Sequence, residues 1–94
     1  MAKAIWEGAV LAESERCIEM EGNQYFPPDS LRRQHFKPSG MTTICSWKGV
    51  AQYYDVEVNG KVNSAAAWYY PEPKEAARQI TNYVGFWNGV RVEH

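Results

Sequence analysis

Along most of this chain apolar and polar residues alternate with the two-residue period of a strand, and glycine-bearing dipeptides break the alternation at short intervals. Lys3 to Trp6 and Val10 to Ser14 flank Glu7-Gly8, which predicts a tight hairpin. Cys17 to Met20 and Gln24 to Phe26 form a second across Glu21-Gly22-Asn23. Pro27-Pro28 ends that meander, because proline donates no ladder hydrogen bond and restricts the residue before it. Asp29 is placed to cap a single helical turn near residues 29–33.

The longest alternating run is Gly49 to Val58. It predicts a core face of Val50, Gln52, Tyr54, Val56 and Val58, with Gln52 the odd member, and an opposite face of Ala51, Tyr53, Asp55 and Glu57. Asn59-Gly60 predicts a type I′ turn that returns Lys61 to Asn63 antiparallel. A further strand, Ala65 to Tyr70, carries Ala66, Trp68 and Tyr70 on one face. One short helix is expected near residues 73–80, with Pro73 at its first position, Glu75 in its first turn, and Ala76 and Ile80 as its apolar stripe. Val84 to Trp87 and Val90 to Glu93 are expected to close the chain as a hairpin over Asn88-Gly89. The fold class is mainly β (α+β): a bent antiparallel sheet with one short helix and one helical turn. Nothing alternates strand with helix, which excludes a dinucleotide-binding βαβ fold.

With 94 residues there is room for one domain, 1–94. Four Trp and six Tyr mean that large rings supply much of the core, and each indole or phenol needs a polar partner, which holds some rings at the edge of water. Ten Lys and Arg balance eleven Asp and Glu, and the only basic cluster is Arg32-Arg33 with His35 and Lys37, so no nucleic-acid surface is expected. The N-terminus has no signal-like apolar core, and no apolar run reaches the roughly 20 residues of a membrane helix, so no membrane partner and a cytoplasmic location are expected. Cys17 and Cys45 are expected to remain reduced there.

Several of these runs fall in a recognisable order: Tyr25-Phe26-Pro27 with Asp29; Thr43-Ile44-Cys45 with Lys48-Gly49-Val50-Ala51 and Tyr53-Tyr54; Ala67-Trp68-Tyr69-Tyr70-Pro71-Glu72-Pro73; and Tyr83-Val84-Gly85-Phe86-Trp87. Together they resemble the DUF427 domain family, also labelled a putative nucleotidyltransferase domain. Ser46 departs from the proline usual in that family. The resemblance implies a β-tent fold similar to the zinc-binding modules of Rab-interacting exchange factors and methionine sulfoxide reductases. Similar tents bind small planar rings in cages of Trp.

The chain's own chemistry is narrower than those labels. Cys17 and Cys45 stand alone, and His35 and His94 lack ligand spacing, so neither a metal nor a cofactor is expected. Asp29 and Asp55 form no paired carboxylate for Mg²⁺, and no glycine-rich phosphate loop accompanies them. Two constellations remain. Cys45 beside Lys48 joins a thiol to an ammonium that would favour the thiolate, with His35 as the only internal histidine to act as base. Tyr25, Tyr53, Trp68 and Tyr70, with Lys48 and with Arg32 as a clamp for carboxylate or phosphate, could instead line a concave site for a small molecule or a peptide group. Against these stand the plain structural alternatives, in which Cys45 is a buried strand residue and the rings are core. The function expected first is a binding module. The alternatives are an enzyme using Cys45 with Lys48 or His35, and a protein-interaction domain or homo-oligomer meeting its partner through rings such as Trp6 and Trp87.

Overall fold

A computed structural model describes residues 1–94. Nine strands, β1 (Ala2–Trp6), β2 (Ala9–Ser14), β3 (Ile18–Met20), β4 (Asn23–Tyr25), β5 (Phe36–Cys45), β6 (Gly49–Val58), β7 (Lys61–Tyr69), β8 (Val84–Phe86) and β9 (Arg91–Glu93), are joined by 3-10 turns and tight loops. They form three antiparallel sheets in the orders β2-β1-β9, β3-β4 and β5-β6-β7-β8. No helix is long and apolar enough to cross a membrane.

The turn dipeptides act through their own backbone angles. Glu7 and Gly8, Glu21 and Gly22, and Asn59 and Gly60 all have positive φ, as two-residue type I′ hairpins require. Asn23 belongs to β4 and pairs with Met20, so the second turn is one residue shorter than expected. Asn88 and Gly89 also turn with positive φ, but the strands on either side do not pair with each other. β8 pairs with β7, whereas β9 pairs with β1. The turn is tied down from outside: Trp87 donates its backbone N–H to Ala66 O and its indole N–H to Ala65 O, while Asn63 Nδ2 donates to the backbone O of Asn88 and Asn88 Nδ2 donates to Asn63 Oδ1.

Both helical expectations change in kind. The segment near 73–80 is a 3-10 stretch, Glu75–Ile80, kinked at Ala77. Its buried residues are Ala77 and Ile80, with Ala76 exposed. A spacing of three suits a 3-10 helix, in which residues i and i+3 eclipse, and does not suit an α-helical stripe. Near 29–33 there are two 3-10 turns, Pro28–Ser30 and Arg33–His35. Asp29 caps neither. Its carboxylate accepts Arg16 Nη2 at 3.2 Å, and Ser30 Oγ closes the first turn on Pro27 O.

β6 keeps its alternation but buries each face at a different end. Val56 and Val58 pack in one core with Leu11, Phe26, Ala66 and Phe86, whereas Ala51 and Tyr53 join a second core of Tyr25, Tyr70, Ala77 and Ile80. Val50 and Gln52, expected inside, are exposed, and Gln52 Oε1 accepts the Tyr69 hydroxyl. Bulges flank the crossover. On β7, Ser64 to Ala66 oppose Asp55 alone; on β5, Ser39 to Met41 oppose Tyr53 alone. Ala65 has φ +53, and its N–H donates to Asp55 Oδ1 at 2.8 Å. Bulges are the local device that bends a sheet. Tyr25 and Phe26, consecutive and both fully buried, point into different cores because successive strand residues face opposite ways.

Candidate functional site

Lys48 ends the turn Ser46-Trp47-Lys48 between β5 and β6, and a second segment holds that turn in place. Lys74 N donates to Lys48 O at 2.8 Å, Lys74 Nζ donates to Ser46 O, and Gly49, at φ +115, lies against the backbone of Glu72 to Lys74. Lys48 is therefore only 7% exposed. Its ammonium donates to Glu21 Oε1 from the tip of the β3–β4 hairpin, and it lies 5.7 Å from the ring centroid of Tyr70 and 5.1 Å from that of Trp47. Burial alone would lower its pKa. The hydrogen bond it donates to Glu21, with the charges of Tyr25, Tyr70 and Glu21, outweighs burial and holds the ammonium above the usual lysine range.

Tyr53 and Trp68 are register partners on β6 and β7, so their rings are neighbours. The Trp68 indole donates to the Tyr25 hydroxyl at 3.3 Å and meets that ring edge-on. Tyr53 shares a hydrogen bond with Thr43 Oγ1. Burial pushes the Tyr70 phenol up, against the lowering effect of the Lys48 charge. Lys48, Tyr53, Trp68, Tyr70 and Trp87 line an open hollow of about 230 Å³. A larger hollow of about 390 Å³ lies between the chain ends, bounded by Met1, Cys17, Gln24 and His94, and lacks such a wall of rings.

Four residues singled out from the sequence, Lys48, Tyr53, Trp68 and Tyr70, thus share one hollow, and Tyr25 stands one hydrogen bond behind it. Arg32 does not join them. It pairs with Glu13 at 3.5 Å, and its N–H bonds Leu11 O, which holds it to β2. Cys45 packs against the second core, but the Lys48 ammonium is taken by Glu21 and not by the thiol. His35 cannot serve Cys45. Cys45 pairs with Gly49, while Phe36, next to His35, pairs with Val56 on the order of 20 Å along β6; the His35 ring bonds Glu57 O instead.

Three participants were not read from the sequence as parts of this site. From sequence alone Trp87 reads as an outward-facing ring, Glu21 as a turn residue and Gly85 as a strand glycine. A Cβ on Gly85 would lie 2.6 Å from the Trp68 ring, so the absent side chain makes room for the indole. The signal for Gly85 was its position inside an apolar strand, where glycine marks a close approach.

No curated protein matches the chain. The family described as a domain of unknown function, DUF427, matches it over residues 1–94, its whole length, and the chain belongs to that family.

Proposed function

We propose that this member of the DUF427 family is a binding module whose ligand is a small planar molecule seated in the hollow between Lys48, Tyr53, Trp68, Tyr70 and Trp87. The observation that carries the reading is the composition of the wall: four rings and a single buried cation around about 230 Å³. Ligand pockets commonly combine a mostly apolar lining with a few placed polar groups. The rings are held by partners outside the hollow, Trp68 by Tyr25, Tyr53 by Thr43 and Trp87 by Ala65 O, which fixes their positions around it.

Titration of an aromatic fragment set, followed through the indole N–H resonances in ¹H–¹⁵N spectra, tests this reading. Binders are expected to move the Trp68 and Trp87 signals and to weaken at least tenfold in Trp68→Ala, an anchor loss of the usual hot-spot size. Fragments that bind equally well to Trp68→Ala and Lys48→Met would remove the hollow from consideration.

A second reading, self-association, is favoured by the outer edge of the four-stranded sheet. β5 is unpaired on one side, and the register partners Ile44 and Val50 are 82% and 48% exposed. Open edges of this kind pair readily. Sedimentation velocity should then show a dimer that Ile44→Lys dissolves; a monomer at all concentrations ends this second reading.

A further inference from the structure

Lys48 is the only charged residue in the wall of the hollow, and it is more than nine-tenths buried. An ammonium carries three donors. The carboxylate of Glu21 is the one acceptor that it finds in the protein, and the faces of Trp47 and Tyr70 cover part of the remainder. The ammonium is thus satisfied by one carboxylate and two ring faces, and a rival for it must be an acceptor that reaches it through the hollow. Glu21 itself is lightly held. Its side chain is 48% exposed, and it sits at positive φ on the tip of a two-stranded hairpin with three register pairs.

We infer that Glu21 stands in for the carboxylate of a ligand, and that the hollow takes a planar ring bearing a carboxylate, which displaces Glu21 from Lys48. This rests on the hollow being a binding site. Exchange leaves no charge stranded: the ligand carboxylate pairs with the ammonium, and Glu21 swings into water that already covers half of it. A cationic ring would place a second positive charge beside Lys48, and a neutral ring would leave the ion pair intact and use only the aromatic walls. Glu21 is thus an internal competitor that sets the affinity threshold, because a ligand must first release the competing arrangement.

Benzoate, benzamide and benzylamine, one ring with three charges, separate the possibilities when titrated into wild type, Glu21→Gln and Lys48→Met. Benzoate is expected to bind wild type more tightly than the other two. Glu21→Gln should tighten benzoate by about tenfold, the scale of removing one charge-assisted competitor, and leave benzamide unchanged. Lys48→Met should abolish the preference. In wild type the ¹³C carboxylate signal of Glu21 should move on adding benzoate and stay still with benzamide, a readout that needs no variant to fold. If benzoate and benzamide bind alike and the Glu21 signal is silent, the carboxylate inference falls while the hollow stands as a site for neutral rings. If no ring perturbs Trp68 or Trp87, the hollow is not a binding site and both readings fall.

Discussion

Gly85 and Trp68 are register partners on β8 and β7, and the indole occupies the space that a side chain at Gly85 would need. A Cβ there would be 2.6 Å from Cζ2 and 2.8 Å from Cε2 of the ring, closer than carbon atoms pack. The missing side chain of one residue therefore fixes where the other's ring lies, and with it one wall of the hollow.

Gly85→Ala is accordingly expected to push the indole away from Tyr25. Overpacking of this kind costs about 1–3 kcal/mol, which urea unfolding would read as a lower midpoint. The Trp68 indole N–H resonance should move at the same time, since its bond to the Tyr25 hydroxyl lengthens. Unchanged stability together with an unmoved resonance would show that the gap is not needed.

Alkaline pH should weaken the fold. Burial raises the pKa of Cys17, Tyr69 and Tyr70, and for Lys48 burial is outweighed by Glu21 and the neighbouring phenols, so its pKa also rises. Each group keeps its proton in the folded state at a pH where the unfolded chain has begun to lose it. The stabilisation is complete below the ordinary values, about 8.5 to 10.4, and is lost as pH climbs through the raised ones. Urea midpoints measured from pH 7 to 11 should be level at first and then decline. Tyrosinate absorbance should show late-titrating phenols in the folded protein, fewer of them in Tyr70→Phe.

At the bulge, Asp55→Ala removes the acceptor of the Ala65 N–H, which is held at positive φ. An unpaired buried donor costs about 1–3 kcal/mol. Asp55→Asn, which keeps a side-chain oxygen, should recover most of the loss. Faster hydrogen exchange at the Ala65 amide in the alanine variant alone would locate the effect; equal exchange in both variants would contradict it.

Core and edge should answer very differently to truncation. Phe26 is fully buried against Phe86, and Phe26→Ala is expected to cost about 3–5 kcal/mol, a large part of the roughly 5–15 kcal/mol available to a domain. Ile44, 82% exposed, should lose under about 0.5 kcal/mol as alanine. Similar midpoints for the two variants would mean that the core has been misplaced.

Read alone, the sequence was sufficient wherever a residue acts through its own backbone. Glu7-Gly8, Glu21-Gly22 and Asn59-Gly60 turn where they stand because those residues can adopt positive φ, and the two-residue period marks the strands between them. It also placed Trp68 and Tyr70 on one side of their strand, a purely local consequence of alternation. Partner choice was beyond it. That β9 crosses to β1, that β6 buries opposite faces at its two ends, that 73–80 winds as a 3-10 helix, that Arg32 and His35 turn elsewhere, and that Glu21 reaches Lys48 across 27 residues all depend on contacts between distant segments. Such contacts are selected by which apolar surfaces can be buried together, a property of the whole packed chain that no local pattern encodes.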